Sequence, residues 1–468
     1  MKILFKSKFL LLGMVALSLQ SCFVAKEYKR PQDVAPPKDL YRTDELPQDS
    51  INMAEVSWKE MFTDPVLETY IEKGLQNNLD VRIAIQQILA AEAYVKQGKA
   101  GYLPTLSITG QVTHQELSNN SQLGSFLNGT NDQYEILGNL SWEADIWGKI
   151  RSNKRAFEAS YLQSVAAHQA VKTRLISNIA TNYYQLLALD EQRRITETTI
   201  ENRQKGLETT QALKEAGNVT EVGVKQTEAQ LYTAKAILID INNEIRLLEN
   251  SLSILLGEAP QNIQRGELDD QKITTNMEVG VPMQLLKNRP DLIAAEYNLI
   301  NAFELTNVAR SNFYPSLRLT ATGGFQSIDI DKLFDVNSLF ATLVGSLTEP
   351  IFNGRKIRTQ YEVAQSQKEQ AALNFEKSLL TAGKEVSDAL YNYKANTDKI
   401  DVKSMEFRAY SDATGYSEEL LKNGYANYLE VLTARENALN SQLDLVNARF
   451  NQLKAVVDLY RALGGGWR

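Results

Sequence analysis

The residues that decide the fold are GYLPTLSITGQVT, positions 101–113, and NFYPSLRLTATGGF, positions 312–325, which repeat one pattern in the two halves of the chain. In the first stretch Leu106, Ile108 and Val112 alternate with Thr, Ser and Gln, and the second stretch alternates in the same way. Successive side chains of a β-strand point to opposite faces, so each stretch predicts a strand with one apolar and one polar face. This alternation is typical of the wall of a transmembrane β-barrel with a wet interior.

Each of these strands is followed by a second alternating segment, so the chain carries two strand pairs. The second segments are Tyr134–Asp145 and residues 339–347. Four strands cannot close a barrel, because transmembrane barrels start at about eight strands, so we expect several copies to share one barrel around a pore. Two copies would give a barrel whose interior is filled by side chains, and a larger number of copies would give an aqueous lumen. The number of strands does not distinguish three copies from four. On the third strand the polar face carries Arg318, Thr320 and Thr322, which we expect to line the lumen.

Long helical segments without proline follow each strand pair. They run from Lys149 to about Glu215 and from about Lys356 to Lys422, and each stops at a glycine, Gly217 or Gly424. The helix after each glycine has apolar residues spaced alternately three and four apart, which predicts coiled-coil packing. The same order of elements therefore occurs twice, as expected of an internal duplication.

The N-terminus has the features of a targeting segment. Lys2, Lys6 and Lys8 precede an apolar stretch, Phe9–Leu19, that is too short to span a membrane, and Cys22 follows directly after Leu-Gln-Ser. This resembles a bacterial lipoprotein signal, in which cleavage exposes a cysteine that carries lipid. The alternative is an ordinary signal peptide with a cysteine there by chance. Cys22 is also the only cysteine, so we expect no disulfide framework, and a covalent lipid is the only attached group that we expect.

These features divide the chain into consecutive segments. They are a lipoprotein signal peptide at 1–21, a lipid-anchored strap at 22–62, a first repeat at 63–257, a connector at 258–288, a second repeat at 289–464 and a tail at 465–468. The strap is rich in proline and polar residues, so we expect an extended segment rather than a packed element. From Asp64 a helical pattern continues to about Ala100, and a polar loop is expected from Glu116 to Asp132.

The composition argues against several classes of function. The 468 residues carry a net charge of −7, which disfavours nucleic acid as a partner. No stretch reaches the roughly 18 apolar residues of a spanning helix. The two histidines, His114 and His168, lie far apart, and no nucleophile motif, phosphate loop or Cys/His cluster accompanies them. We therefore expect neither an enzyme nor a metal or cofactor site.

Five motifs, in order along the chain, resemble those of TolC-type outer-membrane factors, in the lipoprotein branch that includes OprM and NodT. They are WEADIWGKIR at 142–151, NRPDLIAAE at 288–296, ARSNFYPSL at 309–317, EPIFNGR at 349–355 and LGGGW at 463–467. The resemblance implies a homotrimer that is mainly α-helical, with four strands per chain in a shared 12-stranded transmembrane β-barrel. It also implies a long α-helical barrel in the periplasm, closed at its end by coiled coils.

The resemblance further implies a function. We expect the outer-membrane exit duct of a tripartite efflux pump, which passively exports small molecules. The partners would be outer-membrane lipid, a periplasmic adaptor protein and a proton-driven inner-membrane pump. The protein would lie in the outer membrane of a Gram-negative bacterium, lipid-anchored and extending into the periplasm. Two alternatives are a type I secretion duct for polypeptides and a coiled-coil lipoprotein scaffold that transports nothing. The exported compound is not indicated.

Two groups of site residues follow from the same resemblance. The adaptor would dock on the tips that follow the long helices, at Gly217, Asn218, Gly424 and Tyr425. The alternative is that these glycines only end helices, because glycine adopts the left-handed conformation without strain.

The second group would narrow the periplasmic aperture: Glu221, Leu429, Glu430, Thr433 and Glu436. Glu430 matches an acidic position and Leu429 an apolar constriction position of the family. Thr433 stands where aspartate is common, and Glu436 where OprM-like proteins have arginine. The alternative is that the three glutamates are solvated positions on coiled coils.

Overall fold

The structure, a computed structural model, describes residues 24–30, 40–42, 53–118, 120–122, 124, 130–271 and 282–467. The signal peptide, Cys22 and most of the strap lie outside the described residues, so lipidation of Cys22 stays a prediction. Within the described part, no helix combines the length and apolar character needed to cross a membrane.

The described part of the chain is mainly helical, with four strands, and it repeats its order of elements. After α1 (Trp58–Met61) and α2 (Pro65–Asn77), the first repeat contains α3 (Leu79–Ala100), β1 (Thr105–Glu116), β2 (Thr130–Ala144), α4 (Lys149–Glu215) and α5 (Glu221–Leu255). After α6 (Pro282–Asn288), the second contains α7 (Pro290–Ser311), β3 (Ser316–Ser327), β4 (Leu339–Thr348), α8 (Lys356–Lys422) and α9 (Tyr428–Leu463). The predicted duplication is confirmed, and both 67-residue helices have the bounds that the sequence indicates.

The four strands form one antiparallel sheet in the order β1-β2-β3-β4. Residues directly opposite each other in a sheet share a face, and the register pairs polar with polar: Thr105 with Ser141, and Ser141 with Thr320. The next residues pair apolar with apolar, Leu106 with Leu140 and Leu140 with Ala321. The sheet therefore has one apolar face and one mainly polar face, as the alternation predicts, with Leu137, Phe340 and Val344 as apolar residues on the polar side.

Three element boundaries differ from the sequence prediction. The helical pattern from Asp64 is broken at Asn78, whose side-chain oxygen accepts hydrogen bonds from the backbone of Asp80 (2.9 Å) and Val81 (3.2 Å) and so caps α3. Its amide donates to the Leu255 carbonyl at 2.9 Å. The strands also extend further into the expected loop, to Glu116 and from Thr130.

Residues 53–62 are packed, which corrects the expectation of an extended strap along this part. Met53, Trp58 and Phe62 are buried, and the Phe62 ring meets the Tyr460 ring edge-on at 6.0 Å between centroids. Ser57 caps α1 by accepting from the Lys59 backbone. The prolines of the strap lie before this segment, the last of them at position 47, and its five large apolar residues, at positions 53, 56, 58, 61 and 62, are what the proline-rich interpretation overlooks.

The described residues fall into two compact units. The first contains residues 24–30 with the described parts of 88–164 and 295–375, and it includes the sheet. The second contains the described parts of 33–87, 165–294 and 376–468. The second has a continuous core whose fully buried side chains include Leu67, Ile179, Tyr183 and Leu252.

Candidate functional site

The turn between α4 and α5 is a Schellman motif. The Gly217 backbone is left-handed, with φ 80°. Its N–H donates to the Lys214 carbonyl at 2.9 Å, and the Asn218 N–H donates to the Leu213 carbonyl at 2.9 Å. These two bonds satisfy carbonyls that the end of α4 leaves without helical partners.

The turn between α8 and α9 repeats this geometry. Gly424 has φ 77°, its N–H donates to the Leu421 carbonyl at 3.1 Å, and the Tyr425 N–H donates to the Leu420 carbonyl at 2.9 Å. A Cβ added at Gly217 or Gly424 would have no heavy atom within 4 Å, so conformation rather than crowding favours glycine. The four residues predicted for the tips are all exposed, and the Tyr425 ring is 83% exposed.

Glu430 is fixed at the start of α9. The Asn427 side chain accepts from the Glu430 N–H at 3.1 Å, and the Asn427 amide donates to the Glu430 carboxylate at 3.0 Å. This reciprocal pair resembles a capping box, except that the carboxylate accepts from the Asn427 side chain and not from its backbone N–H, and it holds the carboxylate at the positive end of the helix dipole. Among the described residues Glu430 takes part in no ion pair, and the first basic residue of α9, Arg435, is paired with Glu418 instead.

Glu221, at the start of α5, has a different environment. Thr220 makes no side-chain capping bond there, and Lys214, from the end of α4, forms an ion pair with Glu221. The hydrogen bond from Lys214, and then its charge, lower the pKa of Glu221. The Glu221 carboxylate is therefore partly neutralised by Lys214, whereas the equivalent Glu430 carboxylate has no ion-pair partner among the described residues.

Of the three remaining aperture candidates, two are exposed to solvent and the third lies at the contact of α5 with α9. Leu429 and Thr433 are exposed, Leu429 to 56%. Glu436 accepts a hydrogen bond from the Gln230 amide of α5 at 3.3 Å. One turn nearer the tips, Thr227 of α5 and Tyr428 of α9 share a hydrogen bond of 2.8 Å. The structure thus brings all five candidates to the first three turns of α5 and α9.

Arg203 of α4 belongs to this region but was not predicted. It is 4% exposed and donates to the Gln230 backbone carbonyl. Burial lowers the pKa of its guanidinium, nearby Glu436 raises it, and nearby Arg435 lowers it. Arg435 is itself paired with Glu418 at 2.6 Å. Both arginines line a groove of about 1190 Å³ between α4, α8 and α9. No sequence pattern marks Arg203, because a single arginine on a polar helix usually lies in solvent.

The polar face of the sheet is the second candidate region. Arg318 and Glu143 form an ion pair at 3.2 Å, and Lys149 reaches the same carboxylate at 3.1 Å. The Thr322 hydroxyl donates to the Asn139 side chain at 3.0 Å. Thr320 lies opposite Ser141, so the three predicted lumen residues share one face with polar partners on β2.

The NRPD motif joins the start of the second repeat to the C-terminus. Arg289 is 6% exposed and donates to both carboxylate oxygens of Asp291 (3.0 and 2.6 Å), to Glu385 (2.7 Å) and to the Ala462 carbonyl (2.9 Å). The Trp467 indole N–H donates to the Asn288 carbonyl at 2.9 Å. The NRPD motif and the C-terminal LGGGW motif, which are far apart in sequence, are thus joined by hydrogen bonds.

The two histidines lie on different elements. His114 bonds Asp132 between β1 and β2, and His168 lies on α4. The described residues contain no group of three or more His, Cys, Asp and Glu side chains placed to hold a metal ion.

The sequence matches the family model described as "Outer membrane efflux protein" over residues 70–258 and 281–465. The chain belongs to the outer membrane efflux protein family. The two matched segments correspond to the two structural repeats, and the family that the sequence motifs indicate is confirmed. As a member of a channel family rather than of an enzyme family, it is an efflux exit duct of the outer membrane.

Similar proteins align with nearly the whole length of the chain. The solvent efflux pump outer membrane protein SrpC of Pseudomonas putida is 30% identical, over 98% of this chain and 99% of SrpC. The cation efflux system protein CusC of Escherichia coli K12 is 26% identical, over 97% and 98%. The CmeC outer membrane channel of Campylobacter jejuni shares the fold, with a TM-score of 0.84 at 24% identity over 95% of each chain.

Proposed function

We propose that this outer membrane efflux protein is the passive exit duct of a tripartite pump for small molecules. The observation that carries the proposal is the combination, in one chain, of a two-faced strand sheet and paired coiled-coil helices ending at two like tips. Transport would be driven by a proton-coupled inner-membrane pump joined through a periplasmic adaptor. Relatives named for efflux of solvents and of cations support small compounds rather than polypeptides as the cargo.

The assembly we propose is a homotrimer with one barrel. Strands β1 and β4 are the edges of the sheet, so each presents a row of backbone N–H and C=O groups to a further strand. In a lipid environment such groups need partners, which only a closed barrel supplies to strands. Three chains of four strands give twelve, enough for an aqueous lumen. Arg318, Thr320 and Thr322 would then line that lumen.

We assign adaptor docking to the two tips. Gly217 and Asn218 of one tip and Gly424 and Tyr425 of the other have the same backbone hydrogen bonds and are exposed. Two like surfaces in each chain suit a partner that contacts both repeats. The exposed Tyr425 ring gives the second tip an apolar contact that the first, with Asn218 at this position, does not offer.

We place the periplasmic aperture at the start of α5 and α9, with Glu430 as a ring of one carboxylate per chain. A confined ring of like charges attracts cations and repels anions. Glu221 would contribute less, because Lys214 is paired with it. Leu429 would add an apolar constriction, and Glu436, which is bonded to Gln230, would help to hold α5 and α9 together when the duct is closed.

The aperture is tested by single-channel recording of purified protein in planar bilayers. Glu430→Gln should weaken cation selectivity and block by multivalent cations more than Glu221→Gln does. Glu419→Gln, an exposed carboxylate near the end of α8, is the control and should change neither property. If the Glu221/Glu430 double substitution leaves both properties unchanged, these carboxylates are only solvated positions. A complete lack of conductance in the wild type would favour the scaffold alternative.

We also propose that Cys22 carries the lipid anchor. The residues just after it are held on α7: the Lys26 backbone bonds both polar atoms of the Asn307 amide, at 3.3 and 2.9 Å, and Arg30 pairs with Glu296 at 2.6 Å. An anchor there would be fixed to the unit that contains the sheet. Mass spectrometry of the mature protein should find lipid on Cys22 and none after Cys22→Ser. A mature N-terminus at another residue would contradict the lipoprotein assignment.

The function as a whole is tested by deleting the gene and profiling susceptibility to solvents, antibiotics, bile salts, dyes and metal cations. We expect increased susceptibility to some small compounds, restored by the wild-type gene. If susceptibility is unchanged and a secreted polypeptide disappears from the medium instead, the duct serves type I secretion.

A further inference from the structure

Two large apolar side chains are almost completely exposed directly after β4. Ile351 is 98% exposed and Phe352 95% exposed, more than any other large apolar residue of the described chain. Burying a side chain of this size stabilises a protein by about 1.5–3 kcal/mol relative to leaving it in water. Neighbouring exposed apolar residues commonly mark an interaction surface.

The turn that follows this pair has a strained backbone. Gly354 and Arg355 both have left-handed backbones, with φ 61° and 67°, and Arg355 is the only non-glycine with positive φ among the described residues. For a residue with a side chain this conformation costs roughly 1–2 kcal/mol. Arg355 is held there by its guanidinium, which donates to both carboxylate oxygens of Glu362 at 3.1 and 3.0 Å. Strain of this kind persists where the surrounding structure compensates for it.

The topology of the sheet indicates what lies beside the pair. Strand β4 is an edge, and β1, the other edge, runs in the opposite direction, so β4 of one copy can pair antiparallel with β1 of a second copy. Leu343 and Leu347 of β4 and Leu106 and Ile108 of β1 lie on the apolar face and are exposed. A slip of one residue would place them on opposite faces, so only every second register is allowed.

With the strand ends level, Thr348 of one copy lies beside Thr105 of the next. The residues that follow Thr348 then come alongside those that precede Thr105. Tyr102 and Leu103, which lie there, are 40% and 66% exposed. We propose that Ile351 and Phe352 of each copy pack against Tyr102 and Leu103 of the adjacent copy. The contact closes the seam between copies at the end of the sheet where the strands meet the long helices, and it accounts for the exposure of the two side chains.

This inference rests on the proposed shared barrel, so the experiment tests the two separately. Cysteine pairs are introduced into the full-length protein, which is oxidised in membranes and examined on non-reducing gels. Phe352→Cys combined with Leu103→Cys or Tyr102→Cys should give covalent multimers. Phe352→Cys combined with Leu89→Cys, an exposed position on α3, is the matched control. The linked fraction should exceed that of the control several-fold.

The barrel itself is tested by Ser346→Cys on β4 combined with Thr105→Cys, Ser107→Cys or Thr109→Cys on β1, all on the polar face. If one of these strand pairs links and the Phe352 pairs do not, the seam contact is refuted and the barrel stands. If no strand pair links, the shared barrel fails as well.

The competing occupant of this apolar surface is lipid. A tryptophan introduced as Phe352→Trp should be protected from quenching by brominated phospholipid, whereas Ile108→Trp, on the apolar face of β1, should be quenched. Equal quenching at both positions would show that Ile351 and Phe352 face lipid, and the proposal would be wrong.

Discussion

Replacing Arg265 should loosen the segment that connects the two repeats. The Arg265 guanidinium is 9% exposed and links three parts of the second unit. It donates to Asp190 of α4, to Glu249 of α5 at 2.7 Å and to the Ile263 carbonyl at 2.8 Å. Burial works against its charge, but the hydrogen bonds to Asp190 and Glu249 outweigh burial and raise its pKa. The triad therefore fixes residues 263–265 against both helices.

The size of the effect follows from burial. Arg265→Met would leave Glu249, 7% exposed, and Asp190, 23% exposed, without their main counter-charge. Removing one partner of a buried ion pair costs about 3–5 kcal/mol. If opening of the connector breaks the triad, its opening constant should rise by roughly two to three and a half orders of magnitude, since each 1.4 kcal/mol is tenfold. Arg246 offers a comparison, because it approaches the same Glu249 only to 3.6 Å, is 66% exposed, and makes only a solvent-exposed hydrogen bond to Asn262 of the connector. Arg246→Met should cost about 0–1 kcal/mol.

Hydrogen exchange of the purified protein measures the opening of the connector directly. The amides of residues 258–271 should exchange much faster in Arg265→Met and nearly as in the wild type in Arg246→Met. Peptides from β3, which belongs to the first compact unit, are the internal reference. Equal exchange of residues 258–271 in the two variants would show that the buried ion pairs of Arg265 do not stabilise the connector.

Three further changes have defined outcomes. Gly424→Ala should lower the stability to thermal unfolding by about 1–2 kcal/mol, because a left-handed backbone disfavours a side chain. Leu319→Arg should impair assembly by about 2–4 kcal/mol if the apolar face meets the bilayer midplane, whereas Arg318→Ala should be tolerated; equal yields of assembled protein would contradict the facing assignment. Arg289→Met should destabilise by about 3–5 kcal/mol. Burial raises the pKa of Asp291, but the hydrogen bond and charge of Arg289 lower it overall. The stability that the Arg289–Asp291 pair contributes should therefore be lost as the pH falls through this lowered pKa, which unfolding at several pH values would measure.

The elements that could be predicted are those with local signals. Alternation with period two identifies a strand from its own residues, and a glycine after a long proline-free stretch marks the end of a helix. This is why α4 and α8 have the predicted bounds. The start of β2 was placed at Tyr134 instead of Thr130, because the residues between them are polar and show no alternation. They join the strand only because residues of β1 lie opposite them, such as Gln115 opposite Asn131.

The features that could not be predicted depend on partners distant in sequence. Asn78 interrupts the first helical stretch because its amide reaches Leu255, 177 residues away. Arg265 becomes a structural residue only when folding brings Asp190 and Glu249 to it. In the sequence alone, each of these residues is typical of a solvated position, and the same holds for Arg203 beside the aperture.

The two tips show how duplication preserves the backbone while the side chains diverge. Both turns keep the left-handed glycine and the same pair of hydrogen bonds, since these depend on local geometry. The charges beside them differ: Glu221 faces Lys214 of the preceding helix, whereas Glu430 is held by the uncharged Asn427. A carboxylate paired with a lysine presents little net charge to a passing ion, and one held by an amide presents its full charge. The second repeat is therefore better suited to provide the acidic ring, and the ion pair in the first repeat is better suited to hold α4 and α5 together at the tip.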